Sequence, residues 1–197
     1  MLLTRLEYIA YDYRIVNFIF EYLLFISKCI SAQGAQNRIG SPMKPVFKLA
    51  EIDDADRLTA ISISAFHTDF EVAGRSAPGG PPGYDSSEFH KRMINEASKF
   101  FKVVLDNESI GAFWFFRNDL EKAYLYRLFI SPEYHREGIG GQIFNFLFTR
   151  FSEIQIWTLK VPKWNTRTPK FYQKAGFRIN GQDEHFFFFE KRTQNLK

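Results

Sequence analysis

A chain of 197 residues holds one domain, or one domain with an appendage. Its 45% hydrophobic content is enough for a packed core, and 23 phenylalanines predict a core built largely from aromatic rings. A net charge of +4 without a run of five basic residues does not demand nucleic acid and suits a small polyanion, and the lone Cys29 excludes an internal disulfide and predicts a reducing compartment, the cytoplasm.

Residues 1–42 differ from the rest. They are rich in Tyr, Ile, Leu and Phe, but the apolar run from Ile15 to Ile30 carries Glu21 and Lys28 and falls short of the ~20 residues that span a bilayer. Glu7, Asp12 and Glu21 also break the basic-then-apolar pattern of a signal peptide. We read 1–42 as an appendage: an amphipathic helix, or an over-extended translation start. A polar linker, QGAQNRIGSP, leads into a domain over 43–197.

That domain opens with a short strand, VFKL (46–49). A helix follows, with Asp53 as its cap, Asp56 at the capping-box position, and Leu58, Ile61, Ala65 and Phe66 on its apolar face. The stretch APGGPPGYDS (77–86) excludes regular structure, and Ser86 or Ser87 caps the next helix. Three strands follow, at 100–106, 109–118 and 123–130. Turn residues separate them, as in an antiparallel meander. HREGIGG (135–141) then opens a helix over about 139–151. A strand at 153–161 precedes a short helix that begins at Thr168-Pro169, a cap followed by a proline at the first helical position, and stops at Gly176. Strands at 177–179 and 184–190 close the chain, and the run Phe186–Phe189 reads as a fully buried strand.

Two segments carry chemistry. In HREGIGG, three glycines next to a helix N-terminus leave backbone N–H groups open to an anion, and Arg136 adds charge. The segment lacks the lysine of a Walker loop and the third glycine of a Rossmann fingerprint. A ligand-free glycine turn would read the same. In NTRTPKFYQKAGF (165–177), Phe171 and Ala175 form a core face, so the adjacent Tyr172 points elsewhere. It is either a hydroxyl in a cleft or an ordinary half-buried tyrosine.

Together these segments resemble the GNAT superfamily of N-acetyltransferases. SPEYHREGIGG is similar to the family's [Q/R]-x-x-G-x-[G/A] loop, with His135 at the Gln/Arg position. Asn165, Tyr172, Gly176 and Phe177 fit its later N-x6-Y-x3-G-F segment, and the order of elements agrees over about 45–190. The resemblance implies an α/β (α+β) fold: a mixed, mostly antiparallel sheet with about four helices. It implies acetyl-CoA as co-substrate and a primary amine, on a small molecule or a peptide, as acceptor. Leu128, Phe129 and Ile130 would meet the pantetheine arm through their backbone. Arg136, Glu137, Gly138, Ile139, Gly140 and Gly141 would hold the pyrophosphate, and Asn165 would contact the cofactor or an ordered water. Tyr172 would protonate the leaving thiolate, as a phenol of pKa near 10 is able to do. The family's frequent strand carboxylate is missing from AYLYRLFI. His67, Glu71, Tyr84, Asp85 and Tyr126 are therefore the residues considered for the acceptor side, with a water chain through Tyr126 as an alternative to a side-chain base. Neither a metal nor a membrane nor a nucleic-acid partner is expected, and homodimerisation stays open. The competing reading is a module that binds acyl-CoA without turnover.

Overall fold

The computed structural model describes residues 43–193; the reading of 1–42 as an appendage lies outside them. Seven strands form one sheet: β1 Val46–Leu49, β2 Lys99–Leu105, β3 Glu108–Arg117, β4 Lys122–Ile130, β5 Ile156–Pro162, β6 Arg178–Gln182 and β7 Phe186–Arg192. They lie in the order β1-β2-β3-β4-β5-β7-β6. All pairings are antiparallel except β4 with β5. The α-helices among the described residues are α1 Ala55–Val72, α2 Ser87–Glu96, α3 Ile139–Arg150 and α4 Thr168–Lys174. The mixed, mostly antiparallel sheet with four helices is the expected architecture. No helix among these residues is long and apolar enough to cross a membrane.

Local chemistry explains the boundaries. Asp106 and Asn107 both take positive φ, 51° and 66°, and so turn β2 tightly into β3. Ser86 caps α2, its side chain accepting from the Phe89 N–H at 3.1 Å. Gly176, at φ 88°, ends α4, and the Phe177 N–H reaches back to the Tyr172 carbonyl at 3.0 Å.

Three expectations need correction. Asp53 does not cap α1. A 3-10 turn, Ile52–Asp54, precedes the helix, and the Glu51 N–H donates to Asp54 Oδ2 at 2.8 Å. Thr168 does not cap α4. The Asn165 side chain does, its Oδ1 accepting from the N–H groups of Arg167 (3.1 Å) and Thr168 (3.0 Å). Nor is the Phe186–Phe189 run fully buried, since only Phe189 is. Side chains alternate across a strand, and the two faces of this sheet are covered to different extents.

One face carries the larger core, in which Phe113, Phe115, Leu125 and Trp157 pack with Ile143 and Leu147 of α3 and Phe177. On the other face, α1 and α2 cover Phe100, Ala112, Trp114 and Phe129 with Leu58, Ile61, Ala65 and Met93. No residue of β5, β6 or β7 belongs to that second cluster. Phe186 and Phe188 point to this uncovered region and stay half-buried.

Candidate active site

Strands β4 and β5 pair only from Lys122–Tyr124 against Ile156–Thr158. Beyond that point they part, although β4 runs on to Ile130 and β5 to Pro162. The facing edges therefore carry backbone groups that no strand takes up, which makes the gap a place for an extended ligand. Leu128, Phe129 and Ile130 lie on this stretch of β4. A register shift against β3 falls here too: Trp114 opposes Arg127, but Phe115 opposes Leu125, which leaves Tyr126 as an extra residue. The bulge lets Tyr126 and Arg127, neighbours in sequence, both pack against Trp114.

The glycine loop stands at the open end of the gap. Arg136, at φ 68°, and Gly138, at φ 76°, both take left-handed backbone, which turns the chain sharply into α3. Arg136, Glu137, Gly138 and Gly141 are exposed, while the Ile139 side chain is buried and offers only its backbone. The glycines differ in purpose. A Cβ at Gly138 or Gly141 would meet nothing within 4 Å, so the space beside them is open for a ligand. A Cβ at Gly140 would stand 2.5 Å from the Phe171 ring; there glycine is required by α3–α4 packing. The α3 N-terminus, with its unpaired N–H groups and open glycine flank, fits a phosphate.

Tyr172 packs its ring against Phe144, Phe177 and Phe189. Burial pushes its phenol well above the usual range, and the charge of Asp69 and the neighbouring Tyr124 push the same way. It therefore holds its proton firmly. Tyr124 lies at the last pairing of β4 with β5, and burial beside Tyr126 pushes its phenol up to about 12.

Asn165 is buried and its amide is engaged by protein: Oδ1 caps α4, and Nδ2 donates to Asp69 Oδ2 at 3.2 Å. Asp69 also accepts from Arg167 Nη2 in a short ion pair, and Arg167 Nη1 lies 3.5 Å from His135 Nδ1. His135 Nε2 donates to the Ile130 carbonyl at 2.8 Å. Burial lowers the His135 pKa, chiefly, so the neutral ring serves as a bracket between β4 and the glycine loop. Burial outweighs the nearby Arg167 at Asp69 and raises its pKa. The network joins α1, α4 and the glycine loop.

Asp69 and Arg167 were missed in the sequence, although a signal existed. Ile61, Ala65 and Asp69 are spaced by four, which puts a carboxylate on the core-facing side of α1. Arg127 was missed as well. It is buried, its Nη2 donates to the Pro82 carbonyl at 3.1 Å, and its guanidinium lies 5.0–5.7 Å from the rings of Phe66, Phe89, Trp114 and Tyr126. Burial lowers its pKa to about 10. An arginine inside an aromatic strand was the available sign.

Among the acceptor-side residues, His67 Nε2 and Tyr84 Oη are 3.1 Å apart and fasten the 77–86 loop to α1. Burial raises the Tyr84 pKa, with the charge of Asp85 adding to it. Asp85 and Glu71 are exposed, and Tyr126 is 38% exposed. Of these residues, Tyr126 alone lines the cleft of about 490 Å3 that opens where β4 and β5 part.

Comparison with known proteins agrees with this geometry. The acetyltransferase (GNAT) domain model matches residues 83–187, more than half of the chain, and the chain belongs to that family. It is an acyltransferase of the GNAT class. Uncharacterized N-acetyltransferases from Mycobacterium tuberculosis and Mycobacterium bovis are 25% identical over 134 residues, covering 65% of this chain and 85% of theirs. The PaiA N-acetyltransferase of Thermoplasma acidophilum, solved with coenzyme A, superposes with a TM-score of 0.66 at 22% identity, covering 77% of this chain and all of that one. An acetyltransferase from Thermus thermophilus gives 0.62 at 18% identity, over 78% of this chain and all of its own. At these identities the solved structures speak for the fold alone.

Proposed function

We propose that the protein moves an acetyl group from acetyl-CoA to a primary amine by direct attack, with both bound at once. The observation that carries this reading is the parting of β4 from β5 beside a helix N-terminus with open glycines. The backbone of Leu128–Ile130 would line the pantetheine arm. The N–H groups of Gly138–Gly141, with Arg136, would hold the pyrophosphate. Asn165 would serve the cofactor side by fixing the start of α4.

Acetyl-CoA supplies the acetyl group as an activated thioester. The amine nitrogen forms a bond to the carbonyl carbon, and the C–S bond breaks with its electron pair on sulfur. Tyr172 gives the sulfur a proton, and the amine sheds its own to solvent reached past the half-exposed Tyr126. The burial that makes Tyr172 a weaker acid would also make a thiolate brought beside it a stronger base, so the two remain matched. The family membership and the PaiA complex with coenzyme A support this choice of co-substrate.

Desulfo-CoA keeps the phosphate and pantetheine contacts and should raise Tm, because it binds only the folded state. Gly141→Asp puts a carboxylate into open space at the anion site. It should abolish the shift without lowering the ligand-free Tm, whereas Gly141→Ala should retain it. An undiminished shift in Gly141→Asp would remove the loop from cofactor binding. Thiol release over an amine panel tests turnover and would be absent from a module that only binds acyl-CoA.

A further inference from the structure

The face of the sheet that α1 and α2 leave uncovered is not bland. The cleft of about 490 Å3 begins at Tyr124 and Thr158, the last paired residues of β4 and β5, and its walls include Tyr126, Phe188, Lys160 and Asn180. Three aromatic rings thus stand beside the point where the strands part. On a solvated sheet face such rings are costly unless something apolar covers them in use.

Among the residues that line the cleft, Lys160 carries the charge. No carboxylate lines it. Glu190 lies opposite Thr158, but its oxygens are taken by Asn180 Nδ2 (3.1 Å) and Arg192 Nε (2.9 Å). The Lys160 ammonium rests 4.7 Å from the Phe186 ring centroid and has no ion-pair partner among the described residues. An oligocationic amine would meet repulsion here with no carboxylate on the cleft wall to offset it. An apolar amine that carries a negative group would find both a flat aromatic wall and a cation.

We propose that this cleft is the acceptor site and that its substrate is a free aromatic amino acid. The ring lies against Tyr126 and Phe188, the carboxylate turns to Lys160, and the amine is held at the Tyr124–Thr158 end. This rests on the acetyl-transfer reading above. Lys160 is then a specificity-determining residue: a peptide N-terminus or an arylalkylamine offers the same ring and amine without the carboxylate beside them.

The test measures thiol release from acetyl-CoA with L-phenylalanine, phenethylamine, a tripeptide beginning with phenylalanine, and spermidine. L-phenylalanine should exceed phenethylamine in kcat/KM by about fivefold or more, the effect of one partly desolvated ion pair. In Lys160→Met that ratio should fall to near one. A ratio kept in the variant overturns the role of Lys160, and spermidine or the tripeptide as best substrate overturns the proposed class. Turnover of none of the four, with the desulfo-CoA shift intact, sinks this inference alone; loss of that shift as well sinks the cofactor reading beneath it.

Discussion

Tyr172 packs against phenylalanine rings, and its proton is held by burial and by the nearby Asp69 charge. Replacing it with Phe keeps most of that packing and removes one hydroxyl. Turnover should fall by roughly 10²-fold, the lower end for a lost acid–base group, because a thiolate leaves partly unaided. Desulfo-CoA affinity should barely change. The pH profile carries a sign. A phenol whose pKa is raised stays protonated above its ordinary value of about 10, so wild-type kcat should show no alkaline limb from this group up to pH 10. Rate loss centred below pH 10 that disappears in Tyr172→Phe would contradict the burial argument, and equal turnover in both proteins would take the tyrosine out of the mechanism.

At the level of elements, Asp69 joins three parts that must keep their spacing: α1, the Asn165–Arg167 start of α4, and, through Arg167 and His135, the glycine loop. Rings reinforce the joint. Phe70 packs on Trp164 at 4.4 Å, and Arg75 covers both rings at 5.3 and 5.2 Å. Asp69→Ala leaves Arg167 and the Asn165 amide without this partner. A fully buried pair broken on one side costs about 3–5 kcal/mol; Arg167 is partly exposed, so a loss of about 1–3 kcal/mol is expected. Asp69→Asn preserves the shape and should recover part of it. Because the joint also aims α4, kcat should fall more than desulfo-CoA affinity in Asp69→Asn. Urea unfolding and thiol-release kinetics read the two effects, and an Asp69→Ala protein as stable as wild type would show that the joint contributes nothing.

Over residues 43–193 the fold is a sheet whose halves share one core on the α3 side but are unequally covered on the other. The division at β4–β5 leaves both an open gap and a bare aromatic face, which in the proposed function would take the cofactor and the acceptor. All of it lies after Met43, whose carbonyl accepts from Gln142 Nε2 at 2.9 Å and whose side chain packs against the larger core. A protein starting at Met43 should therefore unfold cooperatively and show the full desulfo-CoA shift. A non-cooperative melt of that truncation, with the full chain melting sharply, would place residues 1–42 within the domain.

Much of this was legible in the residues because it depends on short-range chemistry. The turn at Asn107, the Ser86 cap, the Gly176 stop and the apolar spacing of α3 follow from backbone conformation and periodicity, which a dozen neighbours decide. Two motifs in order, HREGIGG and Asn165–Phe177, were enough to indicate the family. What the sequence could not tell concerns contacts between distant segments. Gly138, Gly140 and Gly141 look alike in the chain, yet only packing shows that Gly140 makes room for Phe171 while the others face open space. FFFF reads as buried on both sides until it is known that α1 and α2 stop short of β7. Asp69, 96 residues from Asn165, becomes part of the site only when α1 meets the start of α4. Local propensity fixes elements through bonds a few residues long, whereas a site is made by side chains whose separation in sequence carries no information about their separation in space.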